Sequence, residues 1–159
     1  MKINDWGKLL VSILLPLVAG LIGSYSTVSS VDTWYAMLTK PAFNPPDWIF
    51  APVWTVLYVL MGAAFYLIWT KGTQKKAVRT AMWVFTLHLI VNCGWSVVFF
   101  GLHSLLGGLF TILVLLTFIV ILLRLFYPIS RVAAYLLMPY LLWVSFATVL
   151  NTSLWLLNR

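Results

Sequence analysis

Five apolar runs, each roughly 20 residues or longer and none containing a carboxylate, make up most of this 159-residue chain. A helix rises 1.5 Å per residue, so roughly 20 apolar residues cross the hydrocarbon core of a bilayer. In lipid a spanning segment must satisfy its own backbone, which a helix does alone. The pattern predicts an all-α integral membrane protein, a five-transmembrane-helix bundle with spans at about 6–25, 48–69, 77–100, 104–126 and 132–157. Residues 1–159 then form a single membrane domain, and 26–47 is its longest connection. Hydrophobic residues are 63% of the chain and charged residues 8%, against the 45–50% apolar share usual in soluble domains. A surface with so few charges is made for lipid.

The net charge of +7 does not point to nucleic acid, because the basic residues fall in short clusters between the apolar runs. With the N-terminus inside, Lys2, Lys8, Lys71, Lys75, Lys76, Arg79, Arg124 and Arg131 are cytoplasmic, and only Lys40 and Arg159 lie outside. That asymmetry predicts a multi-pass protein of a bacterial plasma membrane, N-terminus inside and C-terminus outside. The first run is interrupted by Pro16 and lacks a small-x-small cleavage site, so it reads as a span and not as a signal peptide. Trp6, Trp48, Trp69 and Trp155 sit near span ends, where indoles favour the interface.

Prolines mark the irregular places. Pro41, Pro45 and Pro46 predict an ordered loop containing a short helical turn. Pro52 fits the first turns of the second span, whereas Pro139 falls inside the fifth and predicts a kink. Cys93 has no partner for a disulfide or metal pattern and reads as inert; His103, in a tight turn, reads as solvated.

The three acids, Asp5, Asp32 and Asp47, lie in loops or at span ends, so no intramembrane carboxylate is present to drive proton-coupled export. Three stripes carry the remaining chemistry. Phe50, Trp54 and Tyr58 are four apart on the second span, as are His88, Asn92 and Ser96 on the third, with Trp95 alongside. Tyr140, Trp143, Ala147 and Asn151 follow the same rhythm on the fifth. The asparagines can be interhelical ties worth about 0.6–2 kcal/mol each, and the rings can be core filling. Rings and hydrogen-bonding groups on three spans also suit a pocket for a flat apolar ligand. A lone His88 is a packing residue before it is a metal or haem ligand.

Trp34-Tyr35, Leu38, Lys40-Pro41, Asn44-Pro45-Pro46, Trp48, Phe50 and Trp54-Thr55 resemble the first-loop and second-helix signature of the translocator protein family. That family is also called TspO/MBR, tryptophan-rich sensory protein or peripheral-type benzodiazepine receptor. Asn92, Trp95-Ser96 and Phe99-Phe100-Gly101 are similar to its third-helix motif. Pro139-Tyr140, Trp143, Ala147-Thr148 and Leu150-Asn151 are similar to its fifth-helix motif. The resemblance implies a five-helix bundle, usually a homodimer, that binds porphyrins, sterols and benzodiazepine-type drugs beneath the first loop, among helices one, two, three and five. Carried over by motif position, its pocket residues are Trp34, Phe50, Trp54, Tyr58, Asn92, Trp95, Trp143, Phe146, Ala147 and Asn151.

Departures from the family pattern narrow this. Ala42-Phe43 stands where many relatives have two rings, and no Tyr follows Asn151 ahead of Arg159, which counts against sterol binding. Tyr140 joins the pocket residues through the fifth-span stripe. The leading expectation is a binding protein for porphyrin or another tetrapyrrole in transport, sensing or disposal. No cofactor is required, haem or porphyrin being the ligand, and Lys40 is a candidate partner for a propionate. Two alternatives stand beside it: a tryptophan-dependent photo-oxidative porphyrin-degrading enzyme, and a structural or partner-binding membrane protein. The latter would associate through Gly20-x-x-x-Ser24 or Ala77-x-x-x-Ala81. No catalytic residues are assigned.

Overall fold

Five apolar runs form helix here, the first continuing through Pro16 and the last interrupted at Leu137. The computed structural model describes residues 3–159, with side chains from Trp6 onward. Lys2, counted above among the inner charges, and the side chain of Asp5 lie outside the described residues. Helix α1 is Ile3–Val31, α2 Phe50–Trp69, α3 Lys76–Ser96, α4 Leu105–Phe126, α5 Arg131–Leu136 and α6 Met138–Leu157. With α5 and α6 forming one span, five helical segments among the described residues are long and apolar enough to cross a membrane.

Helix α1 runs six residues past the expected end near Tyr25. The polar stretch after it is rich in Ser and Thr, and these hydroxyls reach back to the helix's own carbonyls. Ser24 donates to Leu21 at 2.8 Å, Ser29 to Ser26 at 3.1 Å and Thr33 to Ser29 at 3.1 Å. Backbone and side chain are satisfied locally, so polarity alone does not end the helix. The connection is therefore residues 32–49, with 3-10 turns at Tyr35–Met37 and Asp47–Ile49.

That connection is fastened down. Tyr35 donates to Asn44 at 2.8 Å, and the Lys40 ammonium lies 3.7 Å from Asp47 and 4.2 Å above the Tyr35 ring. From the end of the chain, the Asn158 side chain accepts from the Thr39 amide at 2.9 Å and donates to the Thr39 carbonyl at 2.9 Å.

Helix α3 does not stop at Ser96 but widens into a π-helical turn, Val97–Gly101, in which Leu102 N–H reaches Val97 at 2.9 Å. The extra residue in the turn brings both Phe99 and Phe100 under the connection, where each ring meets Tyr35. His103, expected to be a solvated turn residue, has its edge in water but is docked. Its φ is 51°, its ring stacks 4.6 Å from Trp34, and its Nε2 lies 3.3 Å from the Ser30 hydroxyl.

Pro139 does more than kink the last span: the helix breaks at Leu137, and Pro139 starts α6 in its first turn, where its missing N–H costs nothing. Around the bundle α1 packs on α2 and α3, α3 on α4, α4 on α6, and α5 on α2, closing a ring. The half carrying the basic loops is solid: Met61, Ala64, Ile68, Ala81, Phe85, Leu115, Ile119 and Phe126 are fully buried. Two glycines let α1 and α2 meet. A Cβ on Gly62 would fall 2.7 Å from the Ile13 backbone, and one on Gly20 would overlap the Tyr58 ring. Of the small-residue pairs expected to serve a dimer, Gly20 faces Tyr58 and Ala81 is in the core, while Ala77 is exposed.

Candidate functional site

Beyond the Gly20–Tyr58 contact the helices diverge, and a cavity of about 700 Å³ opens beneath the connection. This is well within the usual range for small-molecule pockets, about 300–1,000 Å³. Its walls are α1 from Leu14 to Val31, α2 from Phe50 to Tyr58, the end of α3 with its π turn, and α6 from Trp143 to Leu154. Tyr35, Asp32 and Asp47 form the mouth. On the α1 side Leu14, Val18, Leu21 and Val28 line the cavity and are also exposed, so this edge opens sideways toward lipid.

Helical spacing places the aromatic wall. Trp54, one turn above Tyr58, stacks on it at 5.5 Å and stands 6.4 Å from Trp95 across the cavity. Trp95 in turn stacks on Phe99 at 5.4 Å, and Phe50 meets the edge of Trp143 at 5.9 Å. Asn151 ties three helices: its amide donates to the Leu105 carbonyl at 3.0 Å and its oxygen accepts the Trp95 indole at 3.4 Å. Of the residues expected from sequence, Phe50, Trp54, Tyr58, Trp95, Trp143, Ala147 and Asn151 meet on this one cavity.

Four others do not. Asn92 is sealed behind Tyr58, accepting its hydroxyl at 2.9 Å and donating to Tyr140 at 3.0 Å. Tyr140, fully buried, sits 2.8 Å from His88 Nε2, so the three form a polar core layer and not a wall. Trp34 lies outside, edge-on to Phe99 at 5.6 Å and stacked on His103, buttressing the roof. Phe146 faces a second, apolar groove of about 560 Å³ between α2 and α6, with Pro52, Val56, Pro139 and Leu142. Trp143 borders both spaces and is the partition between them.

The resemblance put the first helix at the pocket, but which of its residues line it escaped sequence reading, because Leu and Val facing a cavity look like Leu and Val facing lipid. Asp32, Tyr35 and Asp47 escaped it because a loop's fold over a bundle has no period. Ser96 did lie on the third-span stripe, and Phe99-Phe100 in the third-helix motif. Burial, followed by the charge of Asp47, pushes the Tyr35 hydroxyl up to about 12 against the lowering effect of its bond to Asn44. The wall as a whole offers ring faces and hydroxyls with carboxylates confined to the mouth, an arrangement suited to holding a flat molecule.

The model of the TspO/MBR family matches residues 12–156, which takes in most of α1 and every later span. The chain belongs to the TspO/MBR family. It is 43% identical to Tryptophan-rich protein TspO of Chlorobaculum tepidum, the match covering 91% of each chain. It is also 43% identical to Tryptophan-rich protein TspO of Archaeoglobus fulgidus, over 95% of this chain and 97% of that one. Similarity extends to the Translocator protein of Bos taurus, 36% identical over 92% of this chain and 87% of the relative. As a TspO/MBR protein the chain is a membrane protein with five helical spans, and the cavity lies wholly within the matched region.

Proposed function

We propose that this TspO/MBR protein binds tetrapyrroles such as porphyrin, and similar flat hydrophobic molecules including benzodiazepine-type drugs, within the membrane, in their transport, sensing or disposal. The observation that carries the proposal is the convergence of Trp54, Trp95 and Trp143, from three helices, on one cavity of about 700 Å³. Rings held at 5–7 Å from one another present broad faces on which a macrocycle can stack, and Asn151 fixes the orientation of Trp95. The name of the bovine relative, Translocator protein, agrees with a role in movement of a ligand.

The same proposal sets the basic loops, with Lys71, Lys75, Lys76, Arg79, Arg124 and Arg131, on the inner face of a plasma membrane and the connection outside. A homodimer is part of it, with its contact on lipid-facing surfaces, since Gly20 and Ala81 are occupied within the chain.

Titration of porphyrin into the protein in lipid nanodiscs, followed by tryptophan quenching, tests the binding. Ala147 lines the cavity and is 8% exposed, so Ala147→Phe fills the space without adding charge. At least about tenfold weaker binding is expected, the equivalent of about 1.4 kcal/mol. Undiminished affinity in that variant would remove the cavity from consideration.

A further inference from the structure

Most of the donors on the cavity wall are used by the protein itself. Ser24, Thr27 and Thr55 donate to carbonyls of their own helices, at 2.8, 3.4 and 2.8 Å. Tyr58 donates to Asn92, Trp95 to Asn151, Asn151 to Leu105 and Tyr35 to Asn44. Among the described wall residues, the side-chain donors left are those of Ser96, Trp54 and Trp143 and the second amide N–H of Asn151, and all four are neutral. The lone pairs of the used hydroxyls remain open to a ligand, since a hydroxyl that donates can still accept.

The mouth carries the charge. Asp32 and Asp47 both line it; Asp32 has no ion pair or hydrogen bond through its side chain among the described residues. Two cations lie at this end of the molecule. Lys40 is held by Asp47 at 3.7 Å and by the Tyr35 ring, off the cavity wall, and Arg159 rests over Trp155 at 5.8 Å. Lys40, a candidate partner for a propionate on sequence grounds, is therefore engaged elsewhere. Among the described residues no cation lines the mouth, and Asp47 is paired with Lys40, so a carboxylate brought there meets the unpaired charge of Asp32, whereas an ammonium or N–H group meets an acceptor.

We infer that the cavity favours flat amphiphiles whose polar end is cationic or a hydrogen-bond donor, received at Asp32, over tetrapyrroles that present carboxylates there. This rests on the binding reading above and narrows its ligand class. The mouth is wet, so the effect is one of partly screened charges, at most about fivefold for a single exposed pair.

Three porphyrins with one macrocycle separate the outcomes: an uncharged alkyl porphyrin, a dicarboxylate, and a derivative with two ammonium groups. Each is titrated into protein in zwitterionic nanodiscs, with empty discs subtracting partition into lipid. The diammonium form is expected to bind roughly three- to fivefold more tightly than the dicarboxylate at low salt, with the gap closing as salt rises. Asp32→Asn should narrow that gap, and its thermal unfolding read beside that of the parent shows that the variant is folded. Dicarboxylate affinity equal to or above that of the diammonium form, or a gap indifferent to Asp32→Asn, overturns the inference while the binding reading stands. Failure of all three to bind overturns the binding reading, and this inference with it.

Discussion

Asn92 and Tyr140 are joined at 3.0 Å in a layer of the bundle that neither lipid nor the cavity reaches. With Tyr58 on one side and His88 on the other, four polar side chains from α2, α3 and α6 satisfy one another. Replacing Asn92 by Leu leaves the Tyr58 and Tyr140 hydroxyls each short of a partner. A stability loss of about 1–2 kcal/mol is expected, since such bonds in membranes average about 0.6 kcal/mol and the orphaned groups add to that. Thermal unfolding in one detergent measures it. Porphyrin affinity should change less than in Ala147→Phe, because Asn92 is behind the wall; an equal or larger loss would return Asn92 to the cavity.

The two glycines between α1 and α2 should differ in sensitivity. A Cβ at Gly62 meets backbone, Ile13 Cα and the Ser12 carbonyl oxygen at 2.7 Å, and the helices must part to admit it. A Cβ at Gly20 meets only the Tyr58 side chain, which can shift without parting the helices, at the expense of its bond to Asn92. Overpacking costs typically about 1–3 kcal/mol, so Gly62→Ala is expected at the upper end and Gly20→Ala at the lower. Adding Tyr58→Ala should relieve Gly20→Ala and do nothing for Gly62→Ala, a comparison read from melting temperatures of the single and double variants.

Asn158→Ala removes both bonds to Thr39 and a third, 2.8 Å, to the Leu154 carbonyl. These tie the connection over the cavity to the end of α6, so the variant should loosen the roof while the core stays intact. Stopped-flow quenching is expected to show ligand association and dissociation both several-fold faster, with the melting temperature nearly unchanged. Rates identical to the parent would mean that ligand passes only through the lipid-facing edge beside α1.

Tyr35 links stability to alkaline pH. Its hydroxyl is pushed from an ordinary value of 10.0 up to about 12, first by burial and then by Asp47. Between those values the unfolded chain has released a proton that the folded chain keeps, so the folded state binds more protons and stability falls as pH rises. Below about pH 10 the contribution is fully present. Melting temperatures from pH 9 to 12 should therefore fall less steeply in Tyr35→Phe than in the parent. Parallel curves would show that Tyr35 titrates alike in both states.

The number of crossings, their approximate limits and the family could all be read along the chain, because each span is a local property: a run of apolar residues long enough for a bilayer. Helical spacing also named the faces that carry Trp54, Trp95, Trp143 and Asn151. It could not tell a wall from the layer behind it. Tyr140 and Trp143 are three residues apart on one helix, yet one turns to His88 and the other to the cavity. That choice depends on the rotation of α6 against α2 and α3, which the packing of distant residues sets. Only the tertiary structure decided which Leu and Val of α1 would close the site, and that Asn158 at the end of α6 would hold Thr39 of the connection. Each depends on partners far away in sequence, where periodicity has nothing to report.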